Sequence, residues 1–351
     1  MKIDTIACWA VDVPLTRPYT VAFGTCDAAP LVFVRIEAEG RTGHGSASPA
    51  EDITGETSAA CQAALTSDQL SWLVGEDARD MQRLANALAP RMAGTPAARA
   101  AVDMALHDLG AQALGVPLHR ALGEHHDALP TSVTIGIKDA DAALEEAEEY
   151  LGRGFRALKV KIGTDVEEDI DRLRRLRSFV GDRVAIRVDA NAGYDVPATL
   201  RLLAVAREVG LELVEQPLPA AALAETRSLP DRDLVCLDES VLDARDARRA
   251  LDPLAAGSIN VKLMKCGGIA EARQIASLAQ LHGAALMWGC MDESRVSIAA
   301  ALHVALASPA TRYLDLDGHL DLAEDPFTGG FVLEDGVLRP TNRPGLGISE
   351  G

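Results

Sequence analysis

No stretch of this chain reaches the ~20 uninterrupted apolar residues that a membrane-crossing helix needs, so a membrane-spanning helix is not expected. Positive charge is short as well. Thirty-four Lys and Arg face 52 Asp and Glu, a net charge of −18, which argues against a nucleic-acid backbone or an anionic membrane as partner. The six cysteines (Cys8, Cys26, Cys61, Cys236, Cys266, Cys290) are scattered, and no two have the spacing of a metal knuckle. They read as reduced thiols of a cytoplasmic protein. The opening MKIDTIACWAVDVPL has polar residues within four positions and no long apolar core, so a signal peptide is not expected. Low-complexity tracts are absent. What is left, 48% hydrophobic and 25% charged over 351 residues, is the composition of a soluble enzyme with room for more than one unit.

Five apolar, strand-like segments follow one another at nearly even spacing, and each ends in charge: ALKVKIG (Lys159, Lys161), VAIRVDANAG (Asp189), LELVEQP (Glu215), DLVCLDES (Asp238) and SINVKLMKCGG (Lys262). From Lys161 onward the gaps are 28, 26, 23 and 24 residues, room for one strand, one helix and two short loops per step. That rhythm predicts a β/α barrel, whose active site lies where the strands end. LPTSVTIGI (129–137) has the composition of strand one, which makes the five segments strands two to six. Strands three, four and five are neighbours, so Asp189, Glu215 and Asp238 share one arc of the mouth. Strands two and six lie opposite one another, which sets Lys161 across from Lys262. Three carboxylates in an apolar mouth repel unless a cation neutralises them. With oxygen ligands only, and no His or Cys at these strand ends, the expected ion is hard and octahedral: Mg²⁺, with Mn²⁺ as substitute.

Each piece alone has a blander reading. Lys-x-Lys is often a solvated edge, Asp-Glu-Ser often caps a helix, and Gly267-Gly268 at a helix start could be a phosphate-binding loop. Their coincidence at barrel spacing favours one site. Outside the barrel, residues 1–37 alternate like antiparallel strands on either side of a predicted loop, TRPYTVAFGTCDAA (16–29). A second loop, GSASPAEDITGET (45–57), leads into predicted helices at roughly 56–70, 77–91 and 95–114. Between barrel strands, helices are expected over 141–154, 166–181 and 294–308, with GAALMWGC as strand seven and TRYLDLDG as strand eight. The tail 331–347 is expected to return to the amino-terminal unit. The expected division is an α+β capping domain over 1–123, a barrel over 124–322 and a returning tail over 323–351.

The order and spacing of the Lys-x-Lys pair, the three carboxylates and the distal lysine resemble the enolase superfamily, in particular its muconate-lactonizing-enzyme-like subgroup. The resemblance covers nearly the whole chain and implies an α/β fold: a (β/α)7β barrel, a modified TIM barrel, under a capping domain. It implies Asp189, Glu215 and Asp238 as metal ligands, Lys161 and Lys262 as the two acid/base groups, and Lys159 as a stabiliser of the enolate. Asn191 and Glu239 are expected to support them from behind. Two lysines compete in VKLMKCGG; the 24-residue gap from Asp238 selects Lys262, and Lys265 is expected to bind a carboxylate near the helix start. A proton α to a carboxylate is a very weak acid, so its removal needs stabilised negative charge and a base of lowered pKa. Two lysines on opposite faces permit removal on one side and return on the other, which is racemisation or epimerisation.

Strand eight ends Asp315-Leu-Asp317. Dipeptide epimerases of the subgroup carry such an Asp-x-Asp for the substrate's α-ammonium group, whereas N-acylamino acid racemases and o-succinylbenzoate synthases generally lack it. Strand seven ends in Cys290-Met291-Asp292-Glu293 with no histidine, unlike sugar-acid dehydratases and mandelate-type racemases. The expected activity is therefore Mg-dependent dipeptide epimerisation by an isomerase. An N-acylamino acid racemase or cycloisomerase, or a non-catalytic ligand-binding relative, stands as the alternative. Thr134, Met291, Asp292, Tyr19, Phe23, Gly24 and Glu51 are expected to line the substrate pocket. Aligned with Ala-Glu epimerases, Gly24 falls where they place an arginine, and Arg17 falls at the base of the loop. A hydrophobic or cationic dipeptide is expected rather than Ala-Glu. The bland reading has Asp292 capping the next helix and Glu51 and Asp52 facing solvent. A cytoplasmic homo-oligomer acting on a small-molecule dipeptide, with no nucleic acid and no membrane as partner, completes the expectation.

Overall fold

In the computed structural model, eight parallel strands follow one another around a barrel in chain order. The structure describes the backbone of residues 1–21 and 24–351, and the side chains of all but residues 18–26. The strands are Val133–Ile135, Ala157–Lys161, Ala185–Asp189, Leu211–Glu215, Val235–Leu237, Ser258–Val261, Ala285–Gly289 and Thr311–Asp315. The ring closes where Thr131 bridges Leu314 and the Ser132 N–H donates to the Leu314 carbonyl at 3.0 Å. Strand one is shorter than expected. Leu129–Pro130 leaves the barrel to pair with the tail strand Val337–Pro340, because Pro130 has no N–H to give a central ladder.

A helix follows each of the first seven strands, and a single 3₁₀ turn, Gly318–Leu320, follows the eighth. Local chemistry sets their ends. Asp139, Asp165, Asp195, Asp243 and Ser294 each accept an N–H of the first turn, and Gly210 and Gly283 close helices in the left-handed conformation. Ser294, not Asp292, is therefore the cap of helix Arg295–Ala307.

The amino-terminal unit is a three-stranded antiparallel sheet, Ile3–Val21, Gly24–Ala38 and Arg41–Ala47, backed by helices. The expected loop over 16–29 is instead largely ladder: Tyr19 pairs with Cys26, Thr20 with Thr25 and Val21 with Gly24. Thr and Val favour extended backbone, and Pro18 falls inside the register shift between Pro14 and Tyr19, where its missing N–H breaks no regular pair. Phe23 lies outside the described residues. The third strand was not foreseen; Glu39 (φ 48°) and Gly40 (φ 76°) form the tight turn into it. The helix expected over 56–70 is two, Ser58–Ala64 and Ser67–Leu70, each capped by a threonine.

Helix Pro96–Leu114 lies between that sheet and the barrel and is buried along most of its length. The tail reaches both units: Phe331–Glu334 and Val337–Pro340 extend the pairing with Leu129–Pro130, Phe327 stacks near Phe33 at 5.1 Å, and Gly345 pairs with Val116 and Leu118. Among the described residues no helix is long and apolar enough to cross a membrane.

Candidate active site

Register aligns the charged strand ends. Lys161 is level with Asp189, and Asp189 with Glu215, across three adjacent parallel strands. Asp238 and Lys262 stand one residue beyond strands five and six. After Asp189 and Glu215 the chain turns sharply through positive φ at Asn191 (41°), Ala192 (62°) and Gln216 (33°), a cost tolerated where a site requires it. The turn brings the Asn191 N–H back onto Asp189 Oδ1 at 2.9 Å, and its side-chain amide onto Glu239 Oε1 at 3.1 Å.

Lysine ammonium groups stand among these carboxylates. Lys159 Nζ lies 3.0 Å from Asp189, 2.7 Å from Glu215 and 2.8 Å from Asp315, all buried. Lys161 Nζ contacts Asp189 Oδ2 at 2.7 Å and Asn191 Oδ1 at 2.8 Å, and keeps 30% of its side chain exposed. Across the barrel, Lys262 Nζ lies 2.9 Å from Asp238 Oδ2. Lys265 is occupied differently: it is buried and donates to Asp238 Oδ1 and to the carbonyls of Asp238, Val241 and Asn260. Its ammonium group is enclosed by these acceptors, whereas Lys262 meets the single Asp238 carboxylate at ion-pair distance.

Burial disfavours charge on Asp189, Glu215, Asp238 and Lys262, and the neighbours decide the outcome. For Asp189 the lysines outweigh burial and hold the carboxyl well below its usual range, and Lys262 and Lys265 do the same for Asp238. Glu215 is pushed up to about 8 by burial and by the charge of Asp189. Burial would lower Lys262, but Asp238 more than reverses this and keeps it protonated. At strand eight, Asp315 is held low by Lys159 and accepts from Ser132 Oγ at 2.7 Å. Asp317 is raised to about 6 by burial and by Asp315, although the Thr134 N–H donates to it at 2.7 Å.

As they stand, no three His, Cys, Asp or Glu among the described residues form a metal cage. The lysines bridge them. Yet the donor set suits a hard cation: Glu215 Oε2, Asp238 Oδ2 and Glu239 Oε2 are buried oxygens with no hydrogen bond, and the first two meet only ammonium groups at ion-pair distance.

The remaining expected residues fall around this centre. Thr134 touches Asp317; Met291 and Asp292 follow strand seven, where the Asp292 carbonyl accepts from Ser48 Oγ at 2.8 Å. The loop expected over 45–57 is instead the end of the third strand, a short link and the one-turn helix Glu51–Thr54; that bond brings the link to the strand-seven loop, while Glu51 and Asp52 are exposed. Arg17 pairs with Glu149 of the barrel helix Ala140–Gly152 at 2.8 Å and lines a cavity with Thr134, Asp317 and Asp321. Gly24 pairs with Val21, and the Tyr19 side chain is not among those described. Three contributors escaped the sequence reading. Asn260 donates to Glu215 Oε1 at 2.7 Å, Gln216 accepts the Asp238 and Ser240 N–H groups, and Ser132 holds Asp315. Asn260 carried a signal, a lone amide in an apolar strand two residues before Lys262, on the same face.

Two family models match the chain: "Mandelate racemase / muconate lactonizing enzyme, N-terminal domain" over residues 4–123 and "Enolase C-terminal domain-like" over residues 142–349. The chain belongs to the enolase superfamily. This superfamily member is 54% identical to an L-Lys-D/L-Arg epimerase of Methylococcus capsulatus, with 99% of each chain covered. It is 51% identical to an L-Lys-D/L-Arg epimerase of Desulforapulum autotrophicum, again over 99% of each. A crystal structure of the dipeptide epimerase from Methylococcus capsulatus, complexed with Mg and the dipeptide L-Arg-D-Lys, superposes with a TM-score of 0.97 over 99% of both chains.

Proposed function

We propose that this protein is a dipeptide epimerase that inverts the α-carbon of the carboxy-terminal residue of cationic dipeptides. The observation that carries this is the pair Lys161 and Lys262, projecting from strands two and six on opposite sides of a buried arc of carboxylates. A substrate between them offers its α-proton to one lysine and receives a proton from the other on the opposite face. Mg²⁺, or Mn²⁺ in its place, would be held by Asp189, Glu215 and Asp238 and would supply Lewis-acid stabilisation of charge on the substrate carboxylate. Burial and the charge of Lys159 favour a neutral Lys262, while Asp238 and, to a smaller extent, Glu215 oppose it; neutralising those carboxylates frees Lys262 to act as a base. Lys159 is placed to stabilise the enolate, while Asn191 and Glu239 position Lys161 and the arc. Asp315 and Asp317 receive the α-ammonium group, with Thr134 fixing Asp317.

Of the two side-chain classes expected, the cationic one is supported. Both relatives named above are L-Lys-D/L-Arg epimerases, and Asp321 near the mouth stands in an acidic neighbourhood: burial first, then the charges of Asp317, Asp292 and Glu146, raise it to about 7 against the opposing charge of Arg17. The test is kcat/KM in D₂O for Lys-Arg, Ala-Phe, Ala-Glu, N-acetyl-Lys-Arg and N-succinyl-Arg, with Mg²⁺, Mn²⁺ or excess chelator. Lys-Arg should be turned over best and only with metal. Preference for N-succinyl-Arg, or full activity in chelator, would refute this reading.

A further inference from the structure

Two side chains of helix Pro96–Leu114, in the amino-terminal unit, end on the barrel segment that carries Lys262. Arg99 Nη2 donates to the Cys266 carbonyl, and Asp103 Oδ2 accepts the N–H groups of Ile269 at 2.5 Å and Ala270 at 3.2 Å. The segment between is short and jointed. Lys262 is the residue before the one-turn helix Leu263–Cys266, its carbonyl accepts the N–H groups of Lys265 and Cys266, and Gly267 and Gly268 then turn the chain into helix Ile269–His282.

We propose that Arg99 and Asp103 are positioning residues for Lys262, a reading that rests on the function proposed above. Helix Ile269–His282 has no cap of its own, since Gly268 carries no side chain, and Asp103 supplies one from 166 residues away. Its carboxylate occupies the helix start that the Gly267-Gly268 pair suggested for a phosphate. Both glycines are needed for the approach: a Cβ on Gly267 would come within 1.9 Å of Arg99 Nε, and one on Gly268 within 2.5 Å of Asp103 Oδ2, in backbone of φ 79° and 114°. A third bond from the same unit, Ser48 N–H to Met264 Sδ at 3.3 Å, falls between the two ends. Asp103 is itself 3% exposed. The capping unit thus holds the joint at Met264, at Cys266 and at the helix start that follows, all downstream of Lys262, whereas, among the described residues, Arg99, Asp103 and Ser48 make no hydrogen bond to the strand that carries Lys161.

That asymmetry separates positioning from mere domain docking. The α-proton of each epimer is removed by one lysine, so exchange in D₂O, followed by mass spectrometry on each epimer of Lys-Arg separately, reads the two lysines independently. Lys262→Ala identifies the epimer that Lys262 serves. Asp103→Ala should lower exchange of that same epimer about ten- to a hundredfold and change the other by no more than about twofold, since misplacement on the order of 1 Å costs that much. Asp103→Asn keeps an oxygen acceptor and should restore most of the loss. Arg99→Ala should act in the same sense, and it decides the matter if Asp103→Ala does not fold. Equal loss for both epimers, no loss, or loss confined to the epimer served by Lys161 overturns the proposal. A wild-type enzyme that exchanges neither epimer sinks the functional reading first, and this inference with it.

Discussion

Lys262 and Lys265 show how much a single side chain depends on what surrounds it. They are three residues apart and both contact Asp238, yet Lys265 spends its donors on one carboxylate oxygen and three carbonyls, while Lys262 holds only the Asp238 carboxylate. The spacing from Asp238 distinguishes them in sequence; the reason, a filled set of acceptors, is visible only in three dimensions. Lys262→Ala should lose epimerisation by about 10²–10⁴-fold and keep α-proton exchange in a single epimer. Lys265→Met should instead lower the thermal midpoint, because one buried partner of Asp238 disappears at a cost of roughly 3–5 kcal/mol. A Lys265→Met enzyme of normal stability that exchanges only one epimer would exchange their roles. The strand-eight carboxylates differ in the same way. Asp315 is already paired with Lys159, but Asp317 has no ion pair at contact distance among the described residues: Thr134 bonds it through N–H and side chain, a thiol lies further off, and burial has raised it to about 6. An α-ammonium group would satisfy it. Asp317→Asn should cost free dipeptides about 10²–10³ in kcat/KM, and unchanged kinetics would dismiss it as a clamp.

Barrel strands and helices were legible because most are announced by neighbours in sequence: an apolar run, a charge at its end, or an Asp or Ser at the next cap. The missed strand, Arg41–Ala47, is the instructive exception. Its glycines read as loop punctuation, but Gly43 and Gly45 are where helix Pro96–Leu114 lies against the sheet. A Cβ on Gly45 would come 1.8 Å from the Ala101 carbonyl oxygen, and one on Gly43 would come 2.2 Å from that of Ala105. The missing side chain is the packing surface, and the partner that requires it is more than 50 residues away. The helix answers with alanines and is buried on nearly every side, so it lacks the clean apolar stripe of a surface helix. Gly45→Ala should therefore destabilise the protein by about 1–3 kcal/mol or more, since backbone cannot step aside as a rotamer can. Differential scanning calorimetry reads this directly, and an unchanged midpoint would mean that the helix does not seat as closely as described.

Across the whole molecule, the placement of the charged strand ends was readable and the stitching was not. Those charges recur at a period set by the barrel, whereas the contacts that join tail, capping unit and barrel are made by ordinary residues far apart in sequence. Asp108 is the clearest case. It is buried on helix Pro96–Leu114, and its two oxygens accept the N–H of His44 at 3.0 Å and of Leu346 at 2.8 Å, so one carboxylate ties the third strand and the tail to the same helix. Asp108→Ala leaves both donors buried and unpaired, at about 1–3 kcal/mol each. The cost should also depend on pH. Burial outweighs the two N–H groups and raises Asp108 to about 6, against about 4 in an unfolded chain. The folded protein therefore binds this proton more tightly than the unfolded one. The stability it contributes is complete below about pH 4 and is lost as the pH rises through about 6, by up to roughly 3 kcal/mol. Other carboxyls titrate alike in wild type and variant and cancel in the difference. The gap in unfolding free energy between wild type and Asp108→Ala, from denaturant titrations at half-unit steps, should narrow between pH 4 and 6 and stay positive at pH 7. A gap that is flat or widens over that range would show that the Asp108 carboxyl is charged throughout, and that its two N–H donors outweigh its burial.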